Sequence, residues 1–124
     1  MRVFKNAWFQ KFARKEKICD AALCDAVARA DRGLIDADLG GGVIKQRVAR
    51  PGEGRSGGYR TLIFFRMGTR AVFAFGFAKN DRDNIGIEDE RILRSTAKLT
   101  LGLSDVEIDA LVQAGKLEEV DCHD

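Results

Sequence analysis

Histidine, proline and long apolar runs are what this 124-residue chain has least of. Its one histidine, His123, stands beside the C-terminus, where chains usually fray, so an enzyme made from this sequence is expected to work without histidine. No apolar run approaches the roughly 20 residues that span a bilayer, which argues against a membrane protein. The opening MRVFKNAWFQKF has internal charges and no small-residue cleavage site, unlike a signal peptide, and a cytoplasmic location is expected. Cys19, Cys24 and Cys122 are odd in number and no pair has the spacing of a zinc site. Cys19 and Cys24 fall in a helical pattern, where a free cysteine behaves as a small hydrophobe, and neither metal nor cofactor is expected. No repeat, low-complexity tract or linker marks a second domain. A chain of this length buries roughly two thirds of its unfolded surface, so one domain over residues 1–124 is the expectation, with an acidic tail at 118–124 that frays.

What is abundant is charge, and it is split. Up to Ile87 there are 17 Lys and Arg against 9 Asp and Glu; from Glu88 onward there are 4 against 10. A basic body attracts polyanions whatever their sequence. Its densest part is VIKQRVARPGEGRSGGYRT, Val43 to Thr61, where Lys45, Arg47, Arg50, Arg55 and Arg60 face a single acid, Glu53.

Periodicity assigns the elements. Val3 to Lys5 reads as a short strand. Ala7 to Lys15 reads as a helix with Trp8, Phe9 and Phe12 on one side. From Lys17 to Ala30, Ile18, Ala22, Leu23, Ala26, Val27 and Ala30 recur at helical steps, and Gly33 is placed to stop the helix. Leu34 to Asp38 and Val43 to Arg50 are strands joined through Gly40, Gly41 and Gly42. Pro51, the sole proline, ends the second of these, and PGEGRSGG follows as a loop. Tyr59 to Arg66 and Arg70 to Ala78 complete a meander, the last strand showing an aromatic face of Phe73, Phe75 and Phe77. Beyond Asn84 the pattern is helical. Ser104 with Glu107 forms a capping box for a final helix from Asp105 to Ala114, stopped by Gly115. The fold class is α+β.

Strand alternation projects Lys45 and Arg47 from one face and Ile44 and Val48 from the other. If the strands pair in order, Lys45, Arg47, Arg60 and Lys79 converge as a phosphate-handling site would require. A solvated basic face without chemistry is the plainer alternative. Tyr59, the only tyrosine, offers a ring for stacking on a base.

The Lys-x-Arg strand, the GGYRT opening at 57–61 and the FAKN segment at 77–80 together resemble the HigB-like branch of the RelE/ParE toxin superfamily, the toxin halves of bacterial type II toxin–antitoxin pairs. The resemblance runs from the opening RVFK to about Leu103. It implies two N-terminal helices packed on a twisted antiparallel sheet and a cognate antitoxin, of helix-turn-helix type and encoded adjacently. It also implies ribosome-dependent cleavage of mRNA. Carried over, the family's basic pair falls on Lys45 and Arg47, its Gly-Tyr-Arg element on Gly58, Tyr59 and Arg60, and its late lysine on Lys79, so Lys45, Arg47, Arg60 and Lys79 are the expected catalytic set, and Arg50, Arg55, Tyr59, Asn80 and Arg82 are the expected RNA contacts. Asn80 stands where many RelE-type toxins have arginine, and no tyrosine near Gly86 answers the one those toxins use in proton transfer. Inhibition of gyrase, as by ParE-like relatives, and nucleic-acid binding without catalysis are the alternatives.

Overall fold

The computed structural model describes residues 1–50, 54–78 and 87–122, apart from the side chains of residues 54–57, 87 and 88. Its elements in order are β1 (Arg2–Asn6), α1 (Ala7–Glu16), α2 (Asp20–Asp31), β2 (Ala37–Gly40), β3 (Val43–Arg50), β4 (Gly54–Arg66), β5 (Arg70–Ala78), α3 (Ile87–Leu101), α4 (Asp105–Gln113) and β6 (Leu117–Val120).

Local signals set most boundaries. The Asn6 side chain accepts the Phe9 N–H at 2.8 Å and starts α1. Lys17 adopts a left-handed conformation at φ 57° and ends it, which delays α2 to Asp20. Ser104 and Glu107 form the expected capping box, their reciprocal bonds 3.2 and 2.9 Å long. Gly40, Gly41 and Gly42 all take positive φ in the β2–β3 turn. The expected glycine-rich loop is shorter than its sequence suggested, because β4 already begins at Gly54.

Strands β2 to β5 form the anticipated meander, but the sheet is mixed rather than antiparallel. Its order is β2-β3-β4-β5-β1-β6, with β1 parallel to β5 and antiparallel to β6. The two helices after β1 carry the chain across the sheet to its far edge. The meander then returns until β5 lies beside β1 in the same direction, a pairing that needs such a crossover.

Both faces of the sheet are packed. On one, Phe9, Ala13, Leu23, Ala26, Val27 and Ala30 of α1 and α2 bury Ile44, Val48, Ile63 and Phe73. On the other, Ala97, Leu101 and Ile108 of α3 and α4 cover Phe4, Val43, Phe64 and Val72. Each fully buried large apolar side chain contributes about 1.5–3 kcal/mol. Arg70, buried in the sheet, donates to the Thr100 and Leu103 carbonyls at 3.1 and 2.9 Å and pairs with Asp105 at 3.2 Å. It thereby pins the end of α3 and the start of α4 to the second face.

Three expectations are corrected, among them the reading of Cys24 as a free cysteine packed like a small hydrophobe. The acidic end does not fray through its whole length: Leu117–Val120 pairs with β1, Leu117 and Val120 are buried, and Glu118 and Glu119 bind Lys5 and Arg2 at 2.7 and 3.0 Å. That placement carries Cys122 back over α2, where it forms a disulfide with Cys24 at a Cα separation of 5.5 Å. Among the described residues only Cys19 is a free thiol, and it is exposed. His123 lies outside the described residues.

The expected aromatic face of β5 is also broken. Phe73 pairs opposite Ile63, but Phe75 pairs opposite Leu62, so Ala74 is the extra residue of a bulge. Phe73 packs on Phe9 of α1, with ring centroids 5.1 Å apart. A Cβ on Gly76 would meet Phe12 at 2.8 Å and Phe9 at 3.2 Å, so position 76 also points toward α1. By alternation Phe75 and Phe77 therefore project from the opposite face.

Candidate phosphate-binding site

The second face of the sheet divides into two halves. α3 and α4 cover the half that carries Val43, Phe64 and Val72. The other half carries the cations. Along β3, Lys45 and Arg47 follow Val43 at steps of two; along β4, Arg60 and Leu62 precede Phe64 in the same way. The pairing register sets Lys45 opposite Leu62, Arg47 opposite Arg60, and Arg60 opposite Phe77 of β5. Lys45, Arg47 and Arg60 thus occupy adjoining positions on one face, with Leu62, Phe75 and Phe77 as the apolar floor. Arg47 is exposed, Lys45 and Arg60 are half-buried, and Leu62 and Phe77 are buried.

Two arginines directly opposite each other repel. Like charges set opposite each other on a ladder cost up to about 1 kcal/mol. Asp36 offsets part of it, accepting the Arg47 backbone N–H at 2.7 Å and its guanidinium at 3.1 Å. The stretch around these cations therefore has a second acid besides Glu53, brought from the segment before β2. Burial works to raise the Asp36 pKa, but the two hydrogen bonds from Arg47 and the charges of Arg47 and Arg29 outweigh it. They hold the carboxyl below its usual range.

Two residues that sequence reasoning passed over hold this strand in place. Gln46, with 0% of its surface exposed, accepts the Asp36 N–H and donates to the Ala26 and Leu34 carbonyls, each bond 3.0 Å long. Arg29, likewise buried, donates to the Arg47 carbonyl at 2.6 Å and pairs with Asp25 at 3.2 Å. Together they tie α2, the segment before β2 and β3 into one frame. The signal for Gln46 was present: it stands between Ile44 and Val48 at an inward position where an apolar residue would be ordinary.

The other residues expected at the site fare differently. Tyr59, expected to stack on a base, has 2% of its surface exposed. Its ring meets Phe12 edge-on at 5.6 Å, the Arg50 guanidinium lies over it at 5.4 Å, and its hydroxyl donates to the Glu16 carboxylate at 3.1 Å. The side chain is part of the core, with no open ring face to offer. Arg50 closes β3 and is half-buried. Arg55 lies within β4, its side chain outside those described, and Lys79, Asn80 and Arg82 lie outside the described residues. Among the described residues no three of His, Cys, Asp and Glu lie close enough together to hold a metal ion, and no helix is long and apolar enough to cross a membrane.

An α+β domain that gathers lysine and arginine from adjacent strands onto one sheet face presents a cationic patch. The family comparison is more specific: the model of the RelE toxin of the RelE/RelB toxin–antitoxin system matches residues 1–120. The chain belongs to that toxin family, within the RelE/ParE superfamily. Toxin–antitoxin systems pair such a toxin with a cognate antitoxin. Comparison with curated proteins yields no match.

Proposed function

We propose that this chain is an mRNA interferase of HigB-like type, a ribosome-dependent endoribonuclease held in check by an adjacently encoded helix-turn-helix antitoxin. The observation that supports it is the cross-strand pairing of Arg47 with Arg60 beside Lys45, which sets three cations from two strands at adjoining positions on one face. Arginine presents a planar fork to phosphate oxygens and is always charged, which suits both guanidiniums to a phosphorane.

In the proposed reaction the RNA 2′-hydroxyl attacks the adjacent phosphorus. The P–O2′ bond forms, the P–O5′ bond breaks, and the products are a 2′,3′-cyclic phosphate and a free 5′-hydroxyl. Lys45 takes the 2′ proton, Lys79 supplies a proton or charge to the leaving oxygen, and Arg47 and Arg60 bear the transition-state charge. Arg50, Arg55, Asn80 and Arg82 are proposed contacts along the strand.

Primer extension on mRNA in a translating extract tests the reading. Wild type is expected to produce discrete cuts, and Arg60→Ala and Lys45→Ala to lose about 10²- to 10³-fold in rate. Unchanged cuts in both variants would remove these residues from the site. Growth arrest without cuts, accompanied by trapped gyrase, would replace the reading with the ParE-like one.

A further inference from the structure

Trp8 is the chain's only tryptophan and remains 43% exposed, although it sits among aromatic residues. Its position follows from the end of β1. The parallel pairing with β5 stops at Lys5 opposite Phe73, and the Asn6 side chain donates to the Ala74 carbonyl at 3.1 Å. α1 starts at the next residue, so its first turn lies against the part of β5 that β1 no longer covers. There the indole stacks on Phe12, with centroids 5.3 Å apart and planes 20° apart, and meets Phe75 at 4.4 Å.

Phe75 belongs to the cationic face, because the Ala74 bulge points it opposite to Phe73 and Gly76, and Trp8 in the first turn of α1 reaches it past the end of β1. Phe75 pairs with Leu62, which makes it the diagonal neighbour of Arg60, about 7–8 Å away across the ladder. Trp8 therefore stands at the rim of the site, braced by two rings and open to solvent over much of its surface. Tyr59, the aromatic residue the sequence offered for base stacking, is buried in the core.

Resting on the reading of this face as an RNA site, we infer that Trp8 is the nucleobase platform of the site. It stacks a base of single-stranded RNA flanking the phosphate held by Arg47 and Arg60. Arginine and lysine bind the backbone without regard to sequence, whereas an indole binds only where an unstacked base is presented. Because Phe12 and Phe75 already fix the ring, little side-chain freedom is lost on binding. The platform favours single strands over duplex, since paired bases keep their faces stacked.

The single tryptophan makes the test direct. Intrinsic fluorescence of the full chain is titrated with a short single-stranded oligoribonucleotide, with an abasic oligonucleotide of equal length, and with the RNA duplex. Saturable quenching by the single strand is expected, with little from the other two. By anisotropy of a labelled strand, Trp8→Ala should weaken binding about 5- to 100-fold, and Trp8→Phe should recover most of the loss. Far-ultraviolet circular dichroism of both variants checks that they fold. Equal quenching by the abasic strand, or wild-type affinity in Trp8→Ala, would overturn the platform while leaving the nuclease reading intact. Strong quenching by the single strand without any cleavage in extract would do the reverse. Absence of RNA binding by the wild-type chain would overturn both.

Discussion

Replacing Gln46 with leucine should cost far more than its small change in shape suggests. The side chain is fully buried and makes three hydrogen bonds of 3.0 Å, one accepted from the Asp36 N–H and two donated to the Ala26 and Leu34 carbonyls. A net contribution of about 1 kcal/mol per bond gives roughly 3 kcal/mol. Stranding a buried backbone group raises the figure. Two effects lower it: Ala26 lies inside a helix, and the Asp36 and Leu34 groups are only partly buried and so reach water after modest movement. Leucine also recovers some hydrophobic stabilisation. The expected loss is about 2–4 kcal/mol, read as a lower urea midpoint at unchanged m-value. On the proposed RNA-site reading the variant should also bind RNA more weakly, because Asp36 and Arg47 lose the strut that registers them. A loss below about 1 kcal/mol would refute the claim that this glutamine holds the site strand in place.

Two further outcomes follow. Asp36 has a carboxyl held below its usual range, so it contributes stability that is fully present above the unfolded value of about 3.9 and lost as pH falls through the lower folded value. Urea melts of wild type and Asp36→Asn should therefore differ by a constant amount above about pH 5 and converge below about pH 4; a gap that persists unchanged to pH 3 would contradict the Arg47–Asp36 pairing. Reducing the Cys24–Cys122 bond, or substituting Cys24→Ser, should lower stability by about 2–4 kcal/mol, since it frees a long loop in the unfolded chain. Alkylation of the oxidised, unfolded protein should label one thiol, Cys19, and labelling of three would rule the bridge out.

Where each feature was legible depended on how far apart its parts lie along the chain. The Ser104–Glu107 cap, the triple-glycine turn and the stripe of Leu23, Ala26, Val27 and Ala30 involve residues within a turn or two of one another, and all were readable. The placement of Lys45 and Arg47 on one face was readable too, because alternation is a local rule. Their meeting with Arg60 depends on the β3–β4 register, which the hairpin sets across 13 residues. The Ala74 bulge was invisible because an alternating run of phenylalanines looks the same with or without an extra residue in the ladder. One inserted residue turned Phe75 and Phe77 to the other face.

Composition and local pattern determined that this chain would be a basic-bodied α+β domain with cations aligned along neighbouring strands, because charge and alternation are properties of adjacent residues. Tertiary structure alone decided the rest: the parallel insertion of β1, the bridge from Cys24 to Cys122, the Asp36 carboxylate beside Arg47, the burial of Tyr59 and the exposure of Trp8. Each of these joins segments whose proximity exists only once the chain has folded. The free energy that brings them together comes from burying both faces of one sheet.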